Sequence, residues 1–120
     1  PDAGVSVTLT RLVGMRRATE ILMLNPVLDA AKALEIGLIT RVVPDAELVQ
    51  RGLELAEALA AGAPAALAHT KRLLWNGLSQ SVEDAMPEEN QAQEILSGMA
   101  DAREGLAAVI EKRKPNFTGR

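Results

Sequence analysis

The chain has 120 residues, the length of one domain with a modest core, and its composition (48% hydrophobic, 24% charged) is that of a globular protein. The net charge of −3, with Lys and Arg spread along the chain, argues against nucleic acid or an anionic membrane as the main partner. There is no Cys, no secretory signal and no apolar run near the ~20 residues of a membrane span. We therefore expect a soluble, cytoplasmic protein without disulfides or thiolate metal sites.

The first predicted element is a turn followed by a helix. The opening letters PDAG are typical of the middle of a loop, so this part is expected to be cut from a larger fold. Apolar residues then recur at steps of three and four, which predicts a helix that ends at the breaker Asn25-Pro26. These residues are Leu12, Val13, Ala18, Ile21 and Leu22.

A short helix and an extended segment are predicted next. Asp29 is a good N-cap for a helix over residues 30–36, and Gly37 suits the left-handed position after it. The stretch LITRVVP alternates like a brief extended segment and is closed by Pro44.

The remaining chain is predicted to be helical. An amphipathic helix is expected over residues 46–61, and another begins at Pro64 and ends at Gly77. Ser81 and Asp84 look like a capping box, but Pro87 predicts that the following helix starts late or is kinked.

A second capping box is predicted at Asp101 and Glu104, before a last helix over residues 102–113. The chain is therefore predicted to be mostly α, with five to six helices and one short extended segment.

Three stretches together resemble the enoyl-CoA hydratase/isomerase (crotonase) family. They are PDAGVSVTLTRLVGMRRATEILML, LDAAKALEIGLITRVVP and DAREGLAAVIEKRKPNFTG. The resemblance implies the C-terminal helical part of the family's β/β/α spiral fold. Residues 1–25 would end the core, with the active-site loop and the following helix. Residues 26–120 would form the helical region for trimerisation and coenzyme A binding.

The same resemblance implies an enzyme that acts on an acyl-CoA thioester. Coenzyme A would be part of the substrate, with no other cofactor, and the assembly would be a homotrimer or hexamer. The two oxyanion-hole N–H groups and the glutamates of the hydratases would lie upstream of this segment.

Asp2 is the predicted catalytic residue. A branch of the family, which includes the 1,2-epoxyphenylacetyl-CoA isomerases, places an aspartate at this point of its loop, whereas hydratases tend to carry a small residue. A carboxylate partly withdrawn from water can have a raised pKa and move a proton. The alternative from the residues alone is a turn aspartate that bonds its own backbone.

Four further residues are predicted to bind substrate. Pro1 and Gly4 belong to the loop of Asp2, and the resemblance implies that Lys112 meets the coenzyme A phosphates while Phe117 covers the adenine. The alternatives are a helix-end cation for Lys112 and a tail anchor for Phe117. The family's Phe at position 109 is Val here, so acyl specificity does not transfer.

No metal site is predicted, because the only histidine, His69, has no partner ligands in the sequence. The leading function is double-bond isomerisation or hydration of an acyl-CoA, with isomerisation favoured by Asp2. The alternative is a catalytically silent oligomerisation module.

Overall fold

A computed structural model of the protein describes all residues from 1 to 120. It contains seven α-helices and one 3₁₀ turn, Asp45–Glu47, and no β-strand. The prediction of a mostly α chain is confirmed, with one helix more than expected. The helices are α1 (Val5–Val13), α2 (Met15–Leu24), α3 (Ala30–Glu35), α4 (Leu48–Ala60), α5 (Pro64–Gly77), α6 (Val82–Ser97) and α7 (Ala100–Glu111).

The chain folds as two compact units, Pro1–Val49 and Gln50–Arg120. None of their helices combines the length and the apolar character needed to cross a bilayer. The boundary predicted after residue 25 is a different one: it separates the end of the catalytic core from the helical region by their roles in the family fold. It stays a prediction.

The additional helix arises at Gly14. The periodic run before Asn25 is two helices, because α1 ends at Val13 and α2 begins at Met15. Gly14 has φ 80° and ψ 158°, a conformation that is essentially restricted to glycine. The break lets α1 and α2 pack together around a small core of buried Leu9, Val13, Ala18 and Ile36.

The predicted ends of α3 are confirmed. The Lys32 backbone N–H donates to Asp29 Oδ1 at 2.7 Å, and Gly37 is left-handed with φ 77°. The Leu38 N–H reaches back to the Ala33 carbonyl at 2.9 Å, which completes a Schellman turn. Residues 38–44 form no strand, although Pro44 at their end is extended, with φ −57° and ψ 143°.

A carboxylate ties α5 to α6 in the second unit. Asn76 Nδ2 donates to Glu88 Oε2 at 2.7 Å, and Gln80 Nε2 donates to Glu88 Oε1 at 2.6 Å. These two hydrogen bonds, the Asn76 bond first, hold the pKa of Glu88 below its ordinary value. Both carboxylate oxygens are therefore used to fix the connection between the helices.

Of the two alternatives predicted for α6, the late start is wrong, and a kink at Pro87 stays a prediction. The helix begins at Val82, directly after Ser81, whose Oγ accepts the Asp84 N–H at 3.2 Å and donates to Asp84 Oδ2 at 2.8 Å. Pro87 lies inside the helix, where it removes one backbone donor without moving the start.

The second predicted capping box is also wrong. The N-cap of α7 is Met99, which offers no side-chain hydrogen bond, and Asp101 already lies in the first turn. The Asp101 backbone N–H instead donates to the carbonyl of Arg120 at 2.9 Å. The two acidic side chains of the supposed box bind the C-terminal tail, residues 113–120.

Glu104 holds the first part of this tail. Its Oε2 accepts from Arg113 Nη2 at 2.9 Å, and its Oε1 accepts both from Arg113 Nη1 and from the Asn116 backbone N–H at 2.7 Å. The Arg113 bonds, followed by the Asn116 bond, lower the pKa of Glu104 from 4.5 to about 2.

Asp101 holds the last part of the tail, and its side chain is buried. Its Oδ1 accepts from the Thr118 N–H at 2.8 Å and from Thr118 Oγ1 at 3.3 Å, while its Oδ2 accepts from the Gly119 N–H at 2.8 Å. Gly119 has φ 79°, and a Cβ there would lie 3.1 Å from Pro64 Cγ. The tail therefore runs back along α7, with its amides directed at two carboxylates one turn apart.

We expect the Gly14→Ala substitution to lower the free energy of unfolding by about 1–3 kcal/mol, because alanine is strained at this φ and ψ. Urea denaturation followed by circular dichroism measures the change. Gly77→Ala is the matched control, since Gly77 ends α5 without positive φ and nothing lies within 4 Å of an added Cβ. Equal stability of the two variants would contradict the role given to Gly14.

We expect the stabilisation from Glu104 to be lost in acid. Its pKa is lower in the folded chain than in the unfolded chain. Its contribution to the free energy of unfolding is therefore present above pH 4.5 and disappears as the pH falls towards 2. The free energy of unfolding should therefore fall more steeply between pH 5 and 2.5 in the wild type than in Glu104→Gln. Parallel curves for the two proteins would rule out this contribution.

Candidate functional site

The amino-terminal loop is a tight turn held by its backbone. The Val5 N–H donates to the Asp2 carbonyl at 2.9 Å, and both central residues have positive φ, 47° for Ala3 and 83° for Gly4. This is the pattern of a type I′ turn, which glycine adopts freely and alanine only with strain. The turn leads directly into α1, for which Gly4 is the N-cap.

The carboxylate of Asp2 points to no partner within this turn. Within this chain it is exposed, not partly withdrawn from water as expected of the catalytic carboxylate; it makes no hydrogen bond and does not cap α1. The local backbone bonds predicted for an ordinary turn aspartate are therefore absent, since the turn is closed by the main chain alone. Pro1 and Gly4 are exposed beside it.

Lys112 occupies an unusual backbone position at the end of α7. It has φ 53°, and the Arg113 N–H donates to the Ala108 carbonyl at 3.0 Å, as in a Schellman turn. The equivalent left-handed position after α3 is occupied by a glycine, Gly37. After α7 a lysine adopts this conformation, although it is strained for a residue with a side chain. Its side chain is exposed and forms no ion pair.

Phe117 lies in the tail, against the middle of α7. A Cβ built on Gly105 would lie 3.5 Å from Cε1 of its ring, an ordinary contact distance. The ring also lines an apolar cavity of about 440 Å³, which we call the tail cavity. Its other walls include Ala66 of α5, Leu96 of α6, and Ala102, Leu106 and Val109 of α7.

A second groove of about 920 Å³ lies between α5 and α6. It is lined by apolar residues such as Leu73 and Leu96 and by the polar side chains of His69 and Gln93. His69 Nδ1 is 3.2 Å from Arg72 Nη2, so this ring nitrogen faces a guanidinium.

The predicted site residues fall into two groups. Pro1, Asp2 and Gly4 share one turn of the first unit, and Lys112 and Phe117 share the reversal after α7 in the second. Sequence reasoning missed that Asp101 and Glu104 hold this reversal. A usable signal was present: two acids at i and i+3 in the last helix, followed by a Pro-containing stretch that cannot continue the helix and whose amides need other acceptors.

Comparison with known proteins identifies the family. The family model for enoyl-CoA hydratase/isomerase matches residues 1–120. A probable enoyl-CoA hydratase of Rhodobacter capsulatus is 39% identical over the whole chain, which covers 47% of that protein. A trans-2-decenoyl-(acyl-carrier-protein) isomerase of Streptococcus mutans is 32% identical, again over the whole chain and 46% of the relative.

Solved structures give the same result. The crystal structure of enoyl-CoA hydratase from Bacillus anthracis superposes with a TM-score of 0.95 at 35% identity, over 100% of this chain and 46% of that one. The match is to the helical C-terminal part of the crotonase fold, as the sequence predicted. The chain spans about half the length of the curated relatives it matches. The chain therefore belongs to the enoyl-CoA hydratase/isomerase family.

Proposed function

We propose that this chain works as part of an acyl-CoA-processing enzyme in which Asp2 moves a proton while an enolate of the thioester is stabilised. The observation that carries the proposal is the carboxylate of Asp2, which sits on a strained, backbone-closed turn and has no partner within the chain. Non-glycine residues with left-handed backbone persist where the surroundings hold them, and such strain is common at functional sites.

The chemistry follows from the acidity of protons next to a thioester. Asp2 takes a proton from the carbon α or γ to the carbonyl, and the electron pair of that C–H bond moves into the enolate. Returning the proton to another carbon of the conjugated system shifts the double bond and restores the carboxylate. Two fixed N–H donors at the enolate oxygen make the step accessible, and we assign these donors to the part of the family fold upstream of residue 1.

Lys112 and Phe117 suit the nucleotide end of the substrate. Lys112 presents an unpaired cation on the reversal after α7, which can meet a phosphate as a compact point charge. Phe117 lines the tail cavity with part of its ring, and an aromatic face is suited to stacking with adenine.

Exposed apolar surface supports a role within a larger assembly. All 13 residues of α4 are exposed, and so are several apolar residues of α7, two of which also line the tail cavity. Apolar surface of this kind usually marks contacts with other polypeptide. We therefore include assembly into a trimer or hexamer in the proposal. The proposal also keeps the isomerase branch, because of Asp2, and a cytoplasmic location, since the chain contains no Cys. The exposed apolar residues are Leu48, Val49, Leu53, Leu55 and Leu59 on α4 and Leu106, Val109 and Ile110 on α7.

We expect Asp2→Asn to reduce isomerisation of an enoyl-CoA by about 10²–10⁴-fold, because the amide cannot accept the proton. The assay is made on the full-length protein with a 3-enoyl-CoA, with coenzyme A affinity measured in parallel. Affinity and thermal stability should change little, since the Asp2 carboxylate bonds to nothing in the folded chain.

Asp45→Asn is the matched control for Asp2→Asn, because Asp45 is an exposed aspartate at a 3₁₀ turn, outside the proposed site. Full activity of Asp2→Asn would refute the catalytic role. Activity lost to the same degree in both variants would point to a general charge effect instead.

We expect Lys112→Ala and Lys112→Gly to weaken acyl-CoA binding equally, because both remove the amino group. Their stabilities should differ: the Gly variant relieves the left-handed backbone and should be more stable than the Ala variant by about 1 kcal/mol. Calorimetric titration and urea denaturation measure the two quantities. Unchanged affinity in both variants would favour the helix-end cation, which stabilises α7 without touching substrate.

A further inference from the structure

We infer that Asp101 and Glu104 are positioning residues for substrate binding: their carboxylates hold the C-terminal tail so that Lys112 and Phe117 face the nucleotide part of the acyl-CoA. The inference rests on the proposed function, which assigns Lys112 and Phe117 to that nucleotide. It adds two residues that reach no substrate atom and act through the backbone of the tail.

The Asp101 carboxylate is buried and is hydrogen-bonded only to the tail. It is buried, with 6% of the residue exposed, and a buried charge is tolerated only when hydrogen bonds compensate it. The compensation comes entirely from the tail, through two backbone N–H groups and one hydroxyl of Thr118 and Gly119. Because removal of the tail would strand this charge, Asp101 and residues 118–120 order each other.

Glu104 fixes the tail closer to Lys112. Both oxygens of its carboxylate accept hydrogen bonds from the Arg113 guanidinium, and one of them also accepts from the Asn116 N–H. Bidentate Arg–carboxylate pairs define orientation as well as distance. Since Arg113 follows Lys112 directly, this pair sets the direction in which the chain leaves the left-handed turn.

Phe117 is placed by both carboxylates at once. The residues on either side of it, Asn116 and Thr118, donate their N–H groups to Glu104 and Asp101 respectively. The ring is left against Gly105, the residue that directly follows Glu104 in α7. A shift of either anchor therefore moves the ring relative to the tail cavity.

The first measurement is made on the tail itself. In Asp101→Asn the amide group can no longer accept from both Thr118 and Gly119, so their backbone N–H groups should exchange with solvent at least tenfold faster. Glu104→Gln should do the same for Asn116. Glu94→Gln is the matched control, because Glu94 is an exposed acid of α6 with no tail contact, and it should leave all three rates unchanged.

The second measurement separates positioning from stability. In the full-length protein, KM is compared for an acyl-CoA and for the same acyl group on pantetheine, which lacks the phosphorylated adenosine part. We expect Asp101→Asn to raise KM for the acyl-CoA at least fivefold and to leave KM for the acyl-pantetheine within twofold. A purely structural role would move both values together.

Gly119→Ala tests the same anchor from the tail side if Asp101→Asn does not fold. The added Cβ would meet Pro64 Cγ at 3.1 Å, and φ of 79° disfavours alanine, so the amides shift away from Asp101. The same selective rise in KM for the acyl-CoA is expected.

The outcomes keep the two proposals apart. If Lys112→Ala and Phe117→Ala weaken acyl-CoA binding but freeing the tail does not, the positioning role is overturned and the proposed function stands. If all of these variants bind acyl-CoA as the wild type does, the nucleotide site itself is overturned. Equal effects on both substrates would also overturn the positioning role.

Discussion

The carboxylate of Asp101, buried beneath the backbone amides of the chain terminus, is the interaction on which the C-terminal part of this structure depends. Residues 113–120 form no helix or strand, and after the Arg113 N–H, which closes the end of α7, their N–H groups have no helix or strand partners. Two acids on one face of α7 supply the acceptors instead, and in return the terminal carbonyl of Arg120 accepts the Asp101 N–H near the start of the helix. A segment without a core of its own is thereby given one conformation, because each group left without a partner would cost free energy.

Both ends proposed for substrate contact share a backbone feature. Ala3 and Lys112 are two of the three non-glycine residues with positive φ, and the third, Asn25, is a common helix-ending residue at the end of α2. At each of the two sites, hydrogen bonds of the main chain hold the strained residue in place. Main-chain hydrogen bonds close both turns, so the exposed side chains of Asp2, which precedes Ala3, and of Lys112 take no part in closing them.

Family membership indicates the class of protein, whereas the geometry of the chain shows which of the proposed functional groups it contains. The chain belongs to the enoyl-CoA hydratase/isomerase family, yet it matches less than half of the length of each relative reported above. The groups proposed to move the proton and to bind the nucleotide are Asp2, Lys112 and Phe117 of this chain, whereas the proposed oxyanion donors are assigned to another part of the family fold. The leucines of α4 are all exposed, and under the proposed assembly other subunits would cover them.

The sequence alone determined those features that depend on near neighbours. Asp29 and Ser81 cap the helices that they were predicted to cap, and Gly37 ends α3, because caps and Schellman turns are closed within a few residues. Local pattern also indicated the family and the helical class. Tertiary structure decided the role of Asp101, since a capping acid and a tail-binding acid look identical until residues 17 and 18 positions away fold back onto it. It also decided the break at Gly14, where apolar periodicity continues along the sequence but α1 and α2 pack against each other around Leu9, Val13 and Ala18.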